Sequence, residues 1–340
     1  MATTTTPTTT GTVASPVDFE AYGDYAPPRS AYRREGNLAT LVYPIGGRIS
    51  DDGSTEFRAE PGRYHLYFSL YCPWAQRPLI ALRLRGLDGV VTCSAVDPVR
   101  DGRGWAFRDG PDYGPDPVNG FAFLRDAYLA TDPTFDGHIS VPALWDRVTG
   151  KLVSNHYPTM TIDLETCFTE WADPAVNLYP TSSLTSQHRV AIDAVNDEIV
   201  RDLAGGTYAA MGATTQADYD AVSTRVFDAL DRFEQRLASN RFLVGDQITD
   251  ADLLLYVNLV RFDVIAGPLG RLNLRRLVDY PNLWAYARDL YQRPEFGDTT
   301  NIEHIKTGTF RAGAGIRTLR IVPAGPIADW DAPHDRDRFA

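Results

Sequence analysis

Short apolar runs and one amphipathic segment follow each other in the first half of the chain. An aromatic-rich run over 64–70 predicts a buried strand. Pro73 then stands where a helix typically begins, apolar residues recur near helical spacing, and Gly86 marks the end of that helix. A second apolar run, 90–96, predicts another strand. The pattern therefore indicates a strand–helix–strand unit.

A long loop and a hairpin complete this half. The loop over 97–120 is rich in Gly, Asp and Pro, and a connection of that length in a compact domain is usually functional or disordered. A helix is predicted over 121–130, and the apolar segments 141–145 and 152–154 flank a Thr-Gly turn as a hairpin. The predicted order is strand, helix, strand, helix, strand, strand, helix.

The second half is predicted to be all-helical. At its clearest helix start, the Thr249 side chain can cap the amide of Asp252 while the Asp252 carboxylate reaches back, which predicts a helix through Arg261. Elsewhere apolar residues recur on one helical face, at Ile192, Val195, Ile199 and Val200, and at Val222, Val226, Leu230, Phe233 and Leu237.

A length of 340 residues with 44% apolar content suggests two domains. We predict a disordered N-terminus and an irregular arm over 1–60, because the first 15 residues are Thr-rich and of low complexity. The first domain is placed at 61–172, the helical domain at 185–315 and a C-terminal tail at 316–340.

Charge and cysteine content narrow the class of protein. The net charge of -11 disfavours binding to nucleic acid or to an anionic membrane. Three cysteines cannot form a disulfide framework, which suits a reducing compartment. Neither a secretory signal nor an apolar run of about 20 residues is apparent. We therefore expect a cytoplasmic protein that does not bind membranes.

Cys72 is the candidate nucleophile. Between a buried strand and Pro73 it would sit at a helix N-terminus, where free amides and the helix dipole favour the thiolate. Ala75 occupies the position of a resolving thiol, so an external thiol would have to reduce any disulfide. The alternative is a small core residue, which is our interpretation of Cys93 and Cys167.

Two further positions are of interest. Val141-Pro142 precedes a strand, where thioredoxin-like folds place a cis-proline whose preceding residue offers its backbone to a peptide-like thiol; an ordinary trans bond is the alternative. Trp105, in the long loop, would either close over a ligand or only pin the loop to the surface.

Many short segments together resemble the glutathionyl-hydroquinone reductases, the Xi-class glutathione transferases. The resemblance covers about residues 30–325 in order, and so many segments in register make it specific. The matching segments are 69–75, 104–107, 141–146, 153–155, 242–246, 249–252, 261–263, 279–283, 289–292, 304–306 and 321–323.

The resemblance implies a thioredoxin-like domain packed on an all-helical glutathione-transferase domain, usually in a homodimer. It implies that Cys72 attacks the sulfur of a glutathionyl-hydroquinone thioether, and that a second glutathione resolves the mixed disulfide, with no metal or nucleotide. The implied thiol-binding residues are Pro73, Trp74, Trp105, Val141, Pro142, Asn155, His156 and Tyr157. Those implied for the aromatic substrate are Tyr208, Ala266 and Phe310.

The chain departs from the family at both ligand sites. His156 and Tyr157 replace a Glu-Ser pair that holds the γ-glutamyl end of glutathione. Of the family's substrate tyrosines, one is matched by Tyr208, whereas Ala266 replaces another and Thr309-Phe310 replace others. One hypothesis is that the cosubstrate is mycothiol, a sugar-linked thiol without a γ-glutamyl group. The arginine-biased composition, typical of high-GC genomes, is compatible with it.

Three functions follow as hypotheses. The leading one is a Cys72-dependent reductase that removes glutathione or mycothiol from aromatic adducts. A thiol transferase that conjugates an electrophile ranks lower, because it normally needs a hydroxyl donor where Cys72 stands. A non-catalytic binding relative ranks lowest, because a dead pocket has no need for a thiol at a helix start.

Overall fold

The computed structural model describes residues 12–35, 38–182, 186–312 and 319–339. The disorder predicted for the first residues, as far as residue 11, lies outside the described residues, and so does the predicted boundary near 315. The chain forms a mixed α/β domain packed on an all-helical domain, as predicted. Its strands are β1 (Tyr32–Glu35), β2 (Leu38–Leu41), β3 (Ile49–Ser50), β4 (Phe57–Arg58), β5 (Tyr64–Phe68), β6 (Val91–Ala95), β7 (Ala143–Asp146) and β8 (Lys151–Ser154).

The α/β domain is built on a four-stranded sheet in the order β6-β5-β7-β8. β6 runs parallel to β5, whereas β7 is antiparallel to both β5 and β8. All five residues of β5 are buried, which explains the continuous apolar run that predicted this strand. The helices up to the end of this domain are α1 (Phe19–Tyr22), α2 (Pro73–Leu84), α3 (Leu124–Thr131) and α4 (Tyr157–Thr166).

The helical domain contains α5 (Ser186–Glu198), α6 (Gly205–Gly212), α7 (Gln216–Leu237), α8 (Asp250–Arg261), α9 (Gly267–Gly270), α10 (Pro281–Tyr291), α11 (Pro294–Gly297) and α12 (Ile302–Ala312). Two π-helical segments, Ile199–Ala204 and Phe262–Ala266, connect helices within it. The predicted start of α8 is confirmed: the Thr249 side chain accepts from the Asp252 amide, and the Asp252 carboxylate accepts from the Thr249 amide at 2.8 Å.

The stretch Asp250–Gly270 is long and apolar enough to cross a membrane, by length and composition only. It is the one such stretch among the described residues, and 67% of its most apolar window is buried inside the protein. Since α8 packs against α5, α10 and the first domain, this stretch serves as the core helix of the helical domain.

Buried polar groups join the two domains. Arg77 of α2 forms a salt bridge with Asp250 at the start of α8, and Asn196 donates to the same carboxylate. The neighbouring Glu165 is buried, and burial together with the Asp250 charge raises its pKa.

The arm is more regular than predicted. It contains α1 and four strands that pair with each other, but these strands have only two to four residues, too few for a period to be visible in sequence. The Ala14 amide donates to the Phe107 carbonyl at 2.9 Å, and Gly47 donates to Val153 at 2.9 Å. The arm therefore lies along the long loop and β8.

The described part of the tail packs on the helical domain. Trp330 contacts the rings of Trp284 and Tyr291, with centroids 4.7 and 5.1 Å away. Arg336 is fully buried and donates to the backbone carbonyls of Leu237, Asn240 and Arg241, which closes the end of α7.

Candidate active site

Cys72 is the N-cap residue of α2. Its carbonyl accepts from the amides of Ala75 at 3.2 Å and Gln76 at 3.1 Å, and its own amide donates to the Ser69 carbonyl at 2.9 Å. The thiol is 9% exposed and donates to the Val141 carbonyl, with Sγ and O 3.6 Å apart. The backbone thus fixes Cys72 at the helix start predicted from Pro73.

The electrostatics of the thiol differ from the sequence expectation. Burial raises the pKa of Cys72 above the ordinary thiol value, although hydrogen bonds from the Ala75 and Trp74 amides and the charges of Arg261 and Arg100 lower it. The expectation of a thiolate at neutral pH rested on the free amides and the dipole at the helix start and did not include the desolvation of the thiol. Here desolvation is the larger effect.

The Val141-Pro142 peptide bond is cis, as expected from its place before β7. The Val141 carbonyl accepts a hydrogen bond from the Cys72 thiol. Pro73, at the first position of α2, faces the other way and lines a cavity toward the helical domain. Cys72 therefore lies between the side of Val141, which is the first surface of the site, and the cavity, which is its second surface.

Aromatic side chains enclose the first surface. Trp74 stacks on Tyr157, with ring centroids 4.7 Å apart and planes tilted by 25°. Tyr157 meets the edge of Tyr43 at 5.7 Å, and Tyr43 meets His138 at 6.2 Å. Tyr43 comes from the arm, so the arm takes part in the site.

A second row of rings continues the enclosure from the other side of Cys72. The Tyr71 and Trp105 centroids are 6.0 Å apart, and the guanidinium of Arg100 lies over Trp105 at 4.4 Å and over Tyr25 at 4.5 Å. The Tyr25 hydroxyl bonds His138 Nδ1 at 2.9 Å, which joins the two rows. We call this set the aromatic rim: Tyr25, Tyr43, Tyr71, Trp74, Arg100, Trp105, His138 and Tyr157.

Asn155 and His156, both predicted as thiol contacts, have protein partners. The Asn155 side chain accepts from the Ile45 amide at 3.2 Å and donates to Ser140 Oγ at 3.3 Å, so it ties the arm to the domain. His156 Nδ1 bonds Thr159 Oγ1 at 2.7 Å, while burial and Arg48 lower the pKa of His156. Contact with a thiol stays a prediction for both residues.

The second surface is a cavity of about 90 Å³ in the helical domain. Of the three residues predicted to contact the aromatic substrate, Tyr208 and Ala266 line this cavity and Phe310 does not, and contact with the substrate stays a prediction for all three. Neighbouring helix residues point about 100° apart, so Thr309 faces the cavity and Phe310, 4% exposed, faces the protein. The lining of this helical-domain cavity is Tyr71, Pro73, Leu203, Ala204, Thr207, Tyr208, Met211, Asn258, Arg261, Phe262, Ile265, Ala266, Leu269 and Thr309.

Arg261 connects the cavity to the cysteine turn. From the end of α8 it donates to the carbonyls of Tyr71 and Leu70, each at 3.2 Å, and to Gln76 Oε1 at 2.6 Å. It forms no salt bridge with a carboxylate among the described residues, and its charge lies close to Cys72. Arg261 was not predicted as a site residue, although an arginine inside an apolar helix is itself a sequence signal of a special role.

The other two cysteines lie elsewhere. Cys93 is half-buried in β6, and burial raises its pKa to about 12. Cys167 ends α4 and donates to the Ile49 carbonyl at 3.4 Å, and its pKa is raised by burial to about 11. Of the three cysteines, Cys72 alone has neighbours in the chain that line the helical-domain cavity, Tyr71 and Pro73.

Comparison with known proteins agrees with this architecture. Residues 216–289 match the family model described as "Glutathione S-transferase, C-terminal domain". Over 292 residues the chain is 38% identical to glutathionyl-hydroquinone reductase YqjG of Escherichia coli, which covers 86% of this chain and 88% of the relative. Identity to glutathionyl-hydroquinone reductase PcpF of Sphingobium chlorophenolicum is 37%, over 79% and 85% of the two chains.

The chain belongs to the glutathionyl-hydroquinone reductase family.

Solved structures of this group share the whole fold. The glutathione-bound structure of YqjG from Escherichia coli superposes with a TM-score of 0.81 at 36% identity, covering 86% of this chain and 96% of that one. A glutathione transferase from Gordonia bronchialis superposes with a TM-score of 0.82 at 40% identity, covering 88% and 91%. The protein is thus an enzyme of the glutathione-transferase superfamily, with a thioredoxin-like domain joined to an all-helical domain.

Proposed function

We propose that this chain removes a small thiol from an aromatic thioether through Cys72. The observation that carries the proposal is the position of Cys72 between two surfaces. Its Sγ contacts the Val141 carbonyl beside the aromatic rim, whereas Tyr71 and Pro73, which flank it, line the helical-domain cavity. A thiol on the rim and an aromatic ring in the cavity place the sulfur that joins them next to Sγ.

The reaction needs no reductant other than the thiol. The Cys72 thiolate attacks the adduct sulfur, an S–S bond forms, and the bond between sulfur and the ring carbon breaks. The ring carbon keeps that electron pair and takes up a proton, so a hydroquinone leaves. A second thiol attacks the mixed disulfide and frees Cys72. One adduct and one thiol thus yield one hydroquinone and one disulfide.

Similarity to YqjG and PcpF, both named glutathionyl-hydroquinone reductases, supports this reaction class and glutathione as the thiol. A solved structure of YqjG with glutathione bound also supports glutathione as the thiol. Mycothiol remains an alternative because His156 and Tyr157 stand where the family has Glu-Ser. We also expect a homodimer, which the molecular mass in solution would test.

Cys72→Ser tests the proposal. We expect hydroquinone release from the adducts of glutathione and of mycothiol to fall at least roughly a thousandfold, because the variant cannot form the mixed disulfide. Intact mass should show one thiol bound to the wild type and none to Cys72→Ser after treatment with the matching disulfide. Unchanged release by Cys72→Ser would reject Cys72 as the nucleophile, and no release by the wild type from either adduct would reject the proposed activity.

A further inference from the structure

Arg100 is held by aromatic rings and by no polar group of the described structure. Its guanidinium lies between Tyr25 and Trp105, at 4.5 and 4.4 Å from their centroids. Its Nε is fully enclosed and has no acceptor. Within the described ranges, its side chain makes neither a hydrogen bond nor an ion pair, although the residue is half-buried.

Two other arginines packed into this domain are paired with carboxylates, and a third, Arg85, donates to the backbone carbonyls of Leu164 and Cys167. Arg63 binds Asp146 at 2.8 Å, and Arg108 binds Asp97 at 2.9 Å. The acid next to Arg100 in sequence, Asp101, is bound by Arg103 at 2.7 Å. Stacking between two rings fixes the plane of the Arg100 guanidinium but leaves the N–H donors at its edge free. The geometry of those donors matches that of a carboxylate.

A second donor without a partner lies beside Arg100. Trp105 is 3% exposed, and its Nε1 is buried without an acceptor in the described structure. A buried N–H without a partner costs free energy, and such groups in native proteins are usually satisfied by a ligand, water or protein atom. Arg100 and Trp105 thus offer two adjacent unused donors on the aromatic rim.

The position of these donors favours contact with the thiol over contact with the aromatic ring. Neither residue is among those that line the helical-domain cavity. Both lie in the long loop of the thioredoxin-like domain. Trp105 contacts Tyr71, which precedes Cys72 and also lines the cavity, and the charge of Arg100 acts on the Cys72 thiol. A ligand whose sulfur reaches Cys72 is therefore close enough for one of its polar groups to reach Arg100.

We propose that Arg100, together with Trp105, binds a carboxylate of the small thiol, so that the enzyme uses an anionic, glutathione-like thiol and not a neutral sugar-linked one. This inference rests on the proposed function and selects between the two thiols left open there. Glutathione has two carboxylates, one at its glycyl end and one at its γ-glutamyl end, and either could be the bound group. Arg100 would then supply a charged anchor where His156 and Tyr157 supply none.

Calorimetric binding to Cys72→Ser tests the inference without turnover. The probes are S-methylglutathione, its glycyl ethyl ester, and S-methylcysteinylglycine, which lacks the γ-glutamyl residue. Adding Arg100→Gln should weaken binding of S-methylglutathione about tenfold or more, since bonds to charged groups are the strong ones. Arg100→Lys should restore part of it. The probe that lacks the bound carboxylate should bind weakly to Cys72→Ser and lose nothing further with Arg100→Gln.

Arg125→Gln is the matched control, because Arg125 also stacks on a ring but is half exposed on α3, and its addition to Cys72→Ser should leave binding unchanged. Equal affinity of Cys72→Ser for all three probes would overturn the inference, even if Arg100→Gln failed to fold. So would undiminished binding by a folded Arg100→Gln protein. Carboxylate-dependent binding without hydroquinone release by the wild type would instead reject the proposed function and leave the Arg100 site standing.

Discussion

The aromatic rim and the helical-domain cavity differ in the origin and state of their polar groups. The rim combines the arm, the long loop and α4, and it holds two donors without protein partners, on Arg100 and Trp105. The cavity comes mainly from the helical domain and is mostly apolar, and each guanidinium nitrogen of its arginine, Arg261, donates to a protein carbonyl or to Gln76.

Under the proposed function, the difference implies two modes of recognition on either side of Cys72. On the rim, charge and hydrogen bonding would select the thiol, because unpaired donors there need acceptors from a ligand. In the cavity, shape and apolar contact would select the aromatic ring, and the buried Thr309 hydroxyl, which has no protein partner among the described residues, would add a polar contact. Arg261 belongs to both, since it lines the cavity and holds the turn before Cys72.

Arg261→Met removes the contact between the cavity and the turn before Cys72, and we expect it to have the largest effect. It leaves the carbonyls of Leu70 and Tyr71 without their donor and removes a positive charge near Cys72. We expect a loss of about 2–4 kcal/mol in the free energy of unfolding. The alkylation rate of Cys72 at neutral pH should also fall.

The pH profile of alkylation separates the two effects. In the wild type, the rate should rise with pH through a midpoint above that of an ordinary thiol, because burial raises the pKa of Cys72 and the thiolate forms above that pKa. In Arg261→Met the midpoint should move further up. Gln76→Glu, which keeps the size of a neighbour of Arg261, should move the midpoint in the same direction by adding a negative charge. An unmoved midpoint in both variants would show that Arg261 acts on stability alone.

Thr309→Val tests whether the helical-domain cavity makes a polar contact with the aromatic adduct. The hydroxyl of Thr309 is buried without a protein partner, so its removal should leave the melting temperature unchanged or raise it slightly. KM for the aromatic adduct should rise roughly five- to tenfold if an adduct oxygen uses the hydroxyl. Thr309→Ser is the control and should retain KM. A drop in stability with unchanged KM would assign Thr309 a structural role.

Cys93→Ala should have the smallest effect. Cys93 lies in the edge strand β6, away from both surfaces, and its pKa of about 12 keeps the thiol protonated. Hydroquinone release and the mass shift on Cys72 should match those of the wild type within error. A reduced mass shift would mean that Cys93 takes part in thiol exchange.

Local patterns predicted the helix start at Cys72 and the start of α8, whereas contacts between distant segments were not predictable. Cys72 and Pro73 are adjacent, and the capping residues Thr249 and Asp252 are close in sequence, so both helix starts are readable in the sequence. The pKa of Cys72 is not, because it depends on how deeply the assembled domains bury the thiol.

Other residues of the site were not predictable for the same reason, because they come from distant segments. Tyr25 and Tyr43 reach the rim from short segments whose pairing has no sequence period. Phe310 was predicted as a substrate contact from its place in the family pattern, and the structure places its neighbour on α12, Thr309, in the lining of the cavity. Arg100 carries no local signal, since only the folded loop shows that its charge has no counter-ion.

The arm is a part of the site in which related enzymes can differ without a change at Cys72 or in the helical-domain cavity. Tyr25 and Tyr43 stand outside both the domain that carries Cys72 and the domain that forms the cavity. Surface segments accept replacement and insertion more readily than core elements. Changes in the arm could therefore retune the accepted thiol while the reactive centre and the aromatic pocket are inherited intact.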